Sequence, residues 1–404
     1  MTSFSRDDGF TLTEMMVSTA VMLLVAGGAM TTFKNALDIN DAASQLGDTN
    51  QNLRAGTNQL DRDLMMAGRI ISNGGVPAPA GVGASAIKRP GPVGSNLTFA
   101  FVQDDDGTLM IPSVTPGYQL GPAVNPGNTT DIVTILTIDE FEPFMVGVGA
   151  GTPLAGQALI SAGGDQITVP VSSPWLIGDA TNDTQPLHVG DIILFKNING
   201  MAMQTVTAIN VGTGVISFGA SDWFNLNQRN ASYTGTVLCI KAADTCDPNA
   251  TPATSPVPTA TVTAAWPATA ASPGGGTALM RLLMITYYVD NTTTPGTPRL
   301  TKMINNYTPQ ALAGVVEDLD LTYDLVNNGD PTQTVSNLPT LPTTINGVKY
   351  TANMIKKVNV HLGVRSQFMS KPTLNYIRNH ISTSVGVRSM SDVDRYDTTA
   401  NPGS

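Results

Sequence analysis

From Phe10 to Phe33 the chain reads FTLTEMMVSTAVMLLVAGGAMTTF, with Glu14 as its sole charge. As a helix rising 1.5 Å per residue, the segment spans about 36 Å, enough to cross a hydrocarbon core of about 30 Å. A membrane span is predicted. The helical pattern then continues: Leu37 and Ile39 lead into Leu46, Leu53 and Leu60, with Ala43 and Leu64 on adjoining rows. The simplest reading is one helix from Phe10 to about Arg69, apolar over residues 10–33 and amphipathic over 34–70. A secretory signal peptide also has an apolar body near the N-terminus. Against it, no small-x-small site opens into a loop, and the pattern runs on past Phe33.

After the helix, the Gly/Pro-rich stretch Ser72 to Ser95 reads as a loop. Runs with β-branched or alternating character predict strands over Leu97–Gln103, Asp131–Ile138, Gln166–Val169, Asp191–Ile198, Gln204–Val211, Val215–Phe218 and Thr236–Ile240. The stretch from His188 to Phe218 reads as a compact meander of three strands. Asp244 to Thr277 is crowded with Ala, Thr, Pro and a PGGG run, holds too few large apolar residues for a core, and reads as a flexible excursion. Beyond it, ALMRLLMITYYVDN pairs with RLTKMI across a TTTPGTP turn, and Ala311 to Val326 reads as a short helical turn leading into a strand. Two further strands, MIKKVNVHLGVRS and LNYIRNHISTSVGVRSM, precede a polar tail at 391–404. The expected class is α+β: a long N-terminal helix, then a mostly antiparallel β-sheet head (71–390) with large loop insertions.

Composition narrows the setting. At 404 residues the chain has room for more than one core. Only 13% of residues are charged, while Gly (39) and Pro (27) are plentiful, which suits a strand-and-loop protein outside the cytoplasm. A formal charge of −10 with no Lys/Arg run argues against a nucleic-acid surface. Cys239 and Cys246 frame CIKAADTC. A local disulfide in an oxidising compartment is one reading and two free thiols the other. A zinc site lacks a second pair of ligands nearby.

Glu14 is the anomaly. An isolated ionised carboxylate at membrane depth is costly and needs a partner, and none lies within the segment. A cut between Gly9 and Phe10 would create an α-amino group one helical turn before Glu14, and in a helical stack the amine of a neighbouring subunit would also reach it. The alternative is a carboxylate solvated at headgroup level. The residues GFTLTEMMVSTAVMLLVAGG resemble the processing segment of type IV pilins and type II secretion pseudopilins: a Gly before the cut, Phe first, Glu fifth, then an apolar helix. That resemblance implies cleavage after Gly9 by a membrane aspartyl prepilin peptidase, removal of a 1–9 leader, N-methylation of Phe10, and a register role for Glu14 in assembly. It further implies other pilins as partners, with the head in the periplasm and then on a pilus at the cell surface. The leader departs from the pattern, since Asp7 and Asp8 stand where Lys or Arg commonly precedes the Gly.

Further pieces resemble one branch, the PilW-like minor pilins, in the same order along the chain: NQLDRDLMMAGR at the helix end, VGDIILF, ITYYVDN with PRLTKMI, GVVEDLDLTYDL and VNVHLGVRS. Gly74 to Gln185 and the Pro/Thr-rich insert match no such piece.

Candidate chemistry is sparse. Asp104, Asp105 and Asp106 before a Gly resemble part of a calcium loop but lack the ligand ladder and distal Glu, so a solvated turn is expected. Glu317, Asp318 and Asp320 read as an exposed strand edge. The PGGG run has no following Lys-Ser/Thr, and His188, His361 and His380 have no nucleophile motif beside them. Met15, Met16, Met22 and Met30 suit adaptable packing between apolar helices. A non-enzymatic minor pilin without cofactor, priming or capping a pilus, is the leading expectation. A pilus-tip adhesin displaying the head, a type II secretion pseudopilin and a membrane-anchored secreted enzyme are the rivals.

Overall fold

The computed structural model describes residues 10–71, 75–79, 86–99, 102–103, 109–125, 128–139, 144–147, 153–178, 186–228, 235–241, 266, 276–293, 296–327, 330, 332–371 and 373–387. The N-terminal pattern folds as one helix, α1 (Leu12–Met66), of 55 residues. Thr11 caps it in extended conformation, and Ala67 ends it by turning out of helical geometry. Gly68, at φ 73°, then donates its N–H to the Leu136 carbonyl at 2.9 Å, which ties the helix end to the sheet.

The amphipathic half divides in two. Thr49, Leu53, Gly56, Thr57, Leu60, Asp63 and Leu64 are buried, at the spacing of one helix face. Ile39 and Leu46, on the same heptad row, stay 65% and 42% exposed. The head therefore holds α1 from about Thr49 onward and leaves the earlier turns outside.

The head is built on eleven principal strands: β1 (Val114–Gly117), β2 (Ile132–Ile138), β3 (Ile192–Asn197), β4 (Gly200–Thr205), β5 (Ala278–Asp290), β6 (Arg299–Ile304), β7 (Gln310–Ala313), β8 (Val316–Val326), β9 (Thr334–Leu338), β10 (Ile355–Ser370) and β11 (Asn375–Gly386). The larger sheet centres on β5, which pairs antiparallel with β2, β3 and β6. β2 reads IVTILTI and is buried along its whole length, as expected for a strand covered on both faces. The second sheet has the order β9-β8-β10-β11. Among the described strands one pairing is parallel, Phe144–Val146 with Gln157–Ile160.

Helix and sheets share one core. Leu53, Leu60 and Leu64 pack with Ile135, Tyr287 and Leu300 of the larger sheet and with Leu319 and Leu362 of the smaller one. Each such side chain contributes about 1.5–3 kcal/mol by leaving water. Gly56 is needed at the contact, because a Cβ there would lie 2.9 Å from Ala313 Cβ and 3.1 Å from Leu300 Cδ2. Arg89, fully buried, donates to Thr134 Oγ1 (2.6 Å) and to the carbonyls of Pro116 (2.8 Å) and Thr115 (2.7 Å), fastening the segment before it to β1 and β2. Burial lowers its pKa to about 10.

Several expectations need correction. Gln204–Val211 is broken: β4 ends at Thr205, and a separate strand, Ala208–Asn210, pairs with Val215–Ser217. Thr207 causes the break, donating to the Ser217 carbonyl and accepting from the Gly219 N–H. The expected three-strand meander is thus two hairpins, β3–β4 and the one after it. Thr236–Ile240 is buried turn rather than strand, with the Ile240 N–H donating to the Thr236 carbonyl and the Cys239 N–H to Thr236 Oγ1. Leu97–Gln103 is not one strand: Thr98 bridges to Lys88, while Val102 and Gln103 pair with Met110 and Leu109. The helical turn expected from Ala311 is strand β7, because Ala311 and Ala313 pair with β6 beneath α1, where small side chains let the helix approach.

Candidate functional site

The apolar part of α1 projects without any covering from the head. The apolar window within this helix has mean hydropathy 1.7 and none of it is buried. Phe10, Leu12, Met22, Leu24 and Met30 are each more than 70% exposed, and Met15 and Met16 exceed half. Such a surface needs lipid or other apolar helices around it.

The polar side chains inside this surface are all satisfied locally. Ser18 and Thr19 donate to the Met15 carbonyl at 3.0 and 2.9 Å, Thr31 to Gly27 at 2.8 Å and Thr32 to Gly28 at 3.0 Å. Thr13 Oγ1 meets Thr11 Oγ1 at 3.1 Å. Back-bonding of this kind removes the cost of bringing hydroxyls into hydrocarbon.

Glu14 completes the set. Its Oε2 accepts from the Thr11 N–H at 3.0 Å and from Thr11 Oγ1 at 2.8 Å, while the Glu14 N–H donates to Thr11 Oγ1 at 3.3 Å. Thr11 and Glu14 form a capping box, a role signalled by the Thr-x-x-Glu spacing but missed in reading the sequence. The carboxylate therefore has a partner within its own segment. Phe10 precedes the cap and lies outside the helix, so α1 begins two residues later than expected. The cap uses no atom of Phe10 or of earlier residues, so a cut after Gly9 would leave it intact. Gly9 itself lies outside the described residues.

The root of the helix carries a polar cluster with no local sequence signal. Asp63 Oδ2 accepts from Tyr287 OH at 2.5 Å and faces Lys302 Nζ at 2.5 Å. Burial, with the Asp63 charge beside it, drives the Tyr287 pKa far upward, which keeps the phenol a donor.

The remaining candidates are dispersed. Asp320 is exposed and Glu317 and Asp318 are half-buried, but they are not on a free edge: here β8 pairs with β10 on one side, and on the side that β9 covers farther along it meets the Asp131 segment, with the Asp131 N–H donating to the Leu319 carbonyl and the Leu321 N–H to Asp131 Oδ2. Glu317 instead binds Arg378 (2.7 Å) and Arg365 (3.3 Å). His361 accepts or donates at Ser382 (2.9 Å) and stands 3.9 Å from Asp318, with the His380 ring 5.5 Å away. His188 is distant from both in sequence, its ring 6.2 Å from Tyr307. Among the described residues no group of three His, Cys, Asp or Glu has metal-holding geometry. Asp104, Asp105 and Asp106 lie outside the described residues, as does most of the 244–277 insert; Trp266 within it donates to the Ser161 carbonyl at 3.1 Å. Cys239 is buried at 1% exposure, and its expected partner Cys246 lies outside the described residues.

Comparison with known proteins agrees with the helix. A family described as the prokaryotic N-terminal methylation motif matches residues 4–30. No curated protein and no solved structure matches the chain. The match covers the capped start and most of the exposed apolar surface, and it supports a type IV pilin-like or pseudopilin protein with a membrane-anchoring N-terminal helix.

Proposed function

We propose that the chain is a minor pilin: a non-enzymatic structural subunit that primes or caps type IV pilus assembly through its N-terminal helix. Prepilin peptidase cleaves between Gly9 and Phe10, and Phe10 is N-methylated. Before assembly, residues 10–33 hold the subunit in the inner membrane with the head in the periplasm. In the fibre the same surface packs against helices of other pilins, and Glu14 together with a neighbouring Phe10 amine sets the stagger. Cys239 and Cys246 form a disulfide that staples the loop between them. The PilW-like order of the head motifs supports the minor-pilin assignment.

One observation carries this reading: a long apolar helical surface, self-satisfied in its hydrogen bonds and uncovered by the head, begins at a methylation motif. The test is fractionation of sheared filaments from cells producing the chain. The mature chain should appear in the filament fraction at a small ratio to the major subunit. Its confinement to the membrane fraction, with filaments unchanged on its deletion, would count against the assignment.

A further inference from the structure

Asn379 of β11 bonds Asn50 of α1, and Thr383 meets Asp61 at 3.3 Å. From Asn379 to Thr383 the strand rises about 13 Å, and from Asn50 to Asp61 the helix rises about 16 Å. β11 therefore runs beside α1 in the same direction, away from the apolar segment. The sheet β9-β8-β10-β11 is antiparallel throughout, so β9 runs the opposite way. Among the described residues β9 pairs only with β8 and β11 only with β10, which leaves both edges open.

The β11 edge is ready to pair. The Val387 N–H donates to the Lys356 carbonyl at 3.0 Å, and antiparallel ladders alternate, so the backbone groups of Ser382, Ser384 and Gly386 turn away from β10. The outward His380 N–H is already taken by Asn379 Oδ1 at 2.8 Å. Residues 381–387 hold no charge, proline or register slip, the devices that usually blunt an edge.

The rows of the sheet fix where the two edges meet. Leu338 pairs with Tyr323, and that row continues through Val358 to Val385, while Val335 pairs with Leu325 farther from the membrane. Ser336, between them, faces Ser384 of a second copy raised by about two residues, about 7 Å. The same offset brings the closed His380 to the row of Asp320, His361 and Ser382, where Asp131 already takes that side of β8. Open groups thus meet open groups. An apolar helix of about 36 Å exceeds a core of about 30 Å by nearly the offset, so both copies stay anchored.

This pairing keeps both α1 helices parallel and on one face of the joined sheet. β11 against β11 would invert one helix if antiparallel and set the helices on opposite faces if parallel. Charge agrees, because Asp318, Asp320 and Asp324 lie toward the β9 edge and Lys357, Arg365 and Arg378 toward the β11 edge. Unlike edges attract.

We propose that neighbouring copies of this chain join their heads edge to edge, residues 381–387 of β11 in one pairing antiparallel with β9, Thr334–Leu338, in the next. The occupant is a second copy because the chain itself supplies an open edge of matching direction, height and charge. The contact is heterologous, so it continues from copy to copy around parallel helices and sets their stagger. It rests on the membrane-anchored pilin reading above.

The test uses the full chain in phosphatidylcholine vesicles. Ser384→Cys and Ser336→Cys chains are treated with a short bismaleimide when mixed and when alone, with the native chain giving the background from Cys239 and Cys246. The pairing predicts a covalent dimer from the mixture and only background from either variant alone. Adding Ser382→Pro to the Ser384→Cys chain removes an outward donor and spares the ladder to β10. It should cut the yield about tenfold, the equivalent of about 1.4 kcal/mol. The mixed-against-separate comparison decides the matter even where the proline variant does not fold. Equal yields mixed and separate, no dimer, or a yield indifferent to a folded Ser382→Pro overturns the edge pairing, including where another pilin takes the edge. Flotation of the same vesicles reports the anchor: a chain that floats without dimer leaves the anchor standing, and one that does not float overturns both.

Discussion

Lys302 Nζ lies 2.5 Å from Asp63 Oδ2, joining strand β6 to the buried face of α1 at a point where both side chains are about nine-tenths covered. Removing one partner of such a pair strands the other charge, at a cost of about 3–5 kcal/mol. Lys302→Met is therefore expected to loosen the helix root, whereas the double change Asp63→Leu with Lys302→Met recovers much of the loss. Urea unfolding of the detergent-solubilised chain measures both. With Asp63→Leu measured alone as well, a double variant that loses the sum of the two single losses would show that the pair does not couple.

Two helix glycines should respond oppositely to the same change. At Gly47 a Cβ meets nothing within 4 Å, so Gly47→Ala gains helix propensity, about 1 kcal/mol. At Gly56 the Cβ would press on Ala313 and Leu300. Overpacking of this kind costs about 1–3 kcal/mol. Gly56→Ala should accordingly lower the unfolding midpoint while Gly47→Ala raises it.

Asp222 should make stability depend on pH. It accepts from the Leu226 and Asn227 N–H groups and from Thr205 Oγ1, yet burial outweighs these bonds and raises its pKa above the ordinary 3.8. The folded chain then keeps this proton where the unfolded chain has released it. The stabilisation is full below the unfolded pKa and is lost as pH rises through the folded one. Relative to Asp222→Asn, the native chain should gain stability on passing from pH 7 to pH 4. The difference in urea midpoints at the two pH values checks it; a difference of opposite sign would mean that the hydrogen bonds prevail.

Glu14→Ala is expected to leave membrane insertion and processing in place while incorporation beside other pilins falls. Thr11→Val removes both of the bonds that the cap's hydroxyl makes to Glu14 but keeps the carboxylate and the Thr11 N–H that donates to it, so incorporation should fall less. Pull-down of partner pilins from detergent extracts measures the two variants side by side. Equal retention of partners by Glu14→Ala and the native chain would remove the register role assigned to the carboxylate.

The helix and most long strands were legible because their periods are regular over many residues. ITYYVDN and VNVHLGVRS became β5 and β10 as expected. The failures have physical causes. Thr236–Ile240 has no polar face after Thr236 because it is wholly buried, and a wholly buried run carries no period to tell turn from strand. Ala311 and Ala313 favour helix locally, but the close passage of Gly56 makes their small size useful in a strand. Glu317 looked like an edge charge because Arg365 and Arg378, its partners, arrive from other strands. The Asp63 cluster was invisible for the same reason, since Tyr287 lies 224 residues away in sequence. The capping box was legible and overlooked.

The most direct measurement is the intact mass, with N-terminal sequencing, of the chain extracted from membranes of cells that carry prepilin peptidase. A chain that starts at Phe10 and carries one added methyl group is the predicted result. A chain that still begins at Met1, or one cut after Gly28, would contradict it.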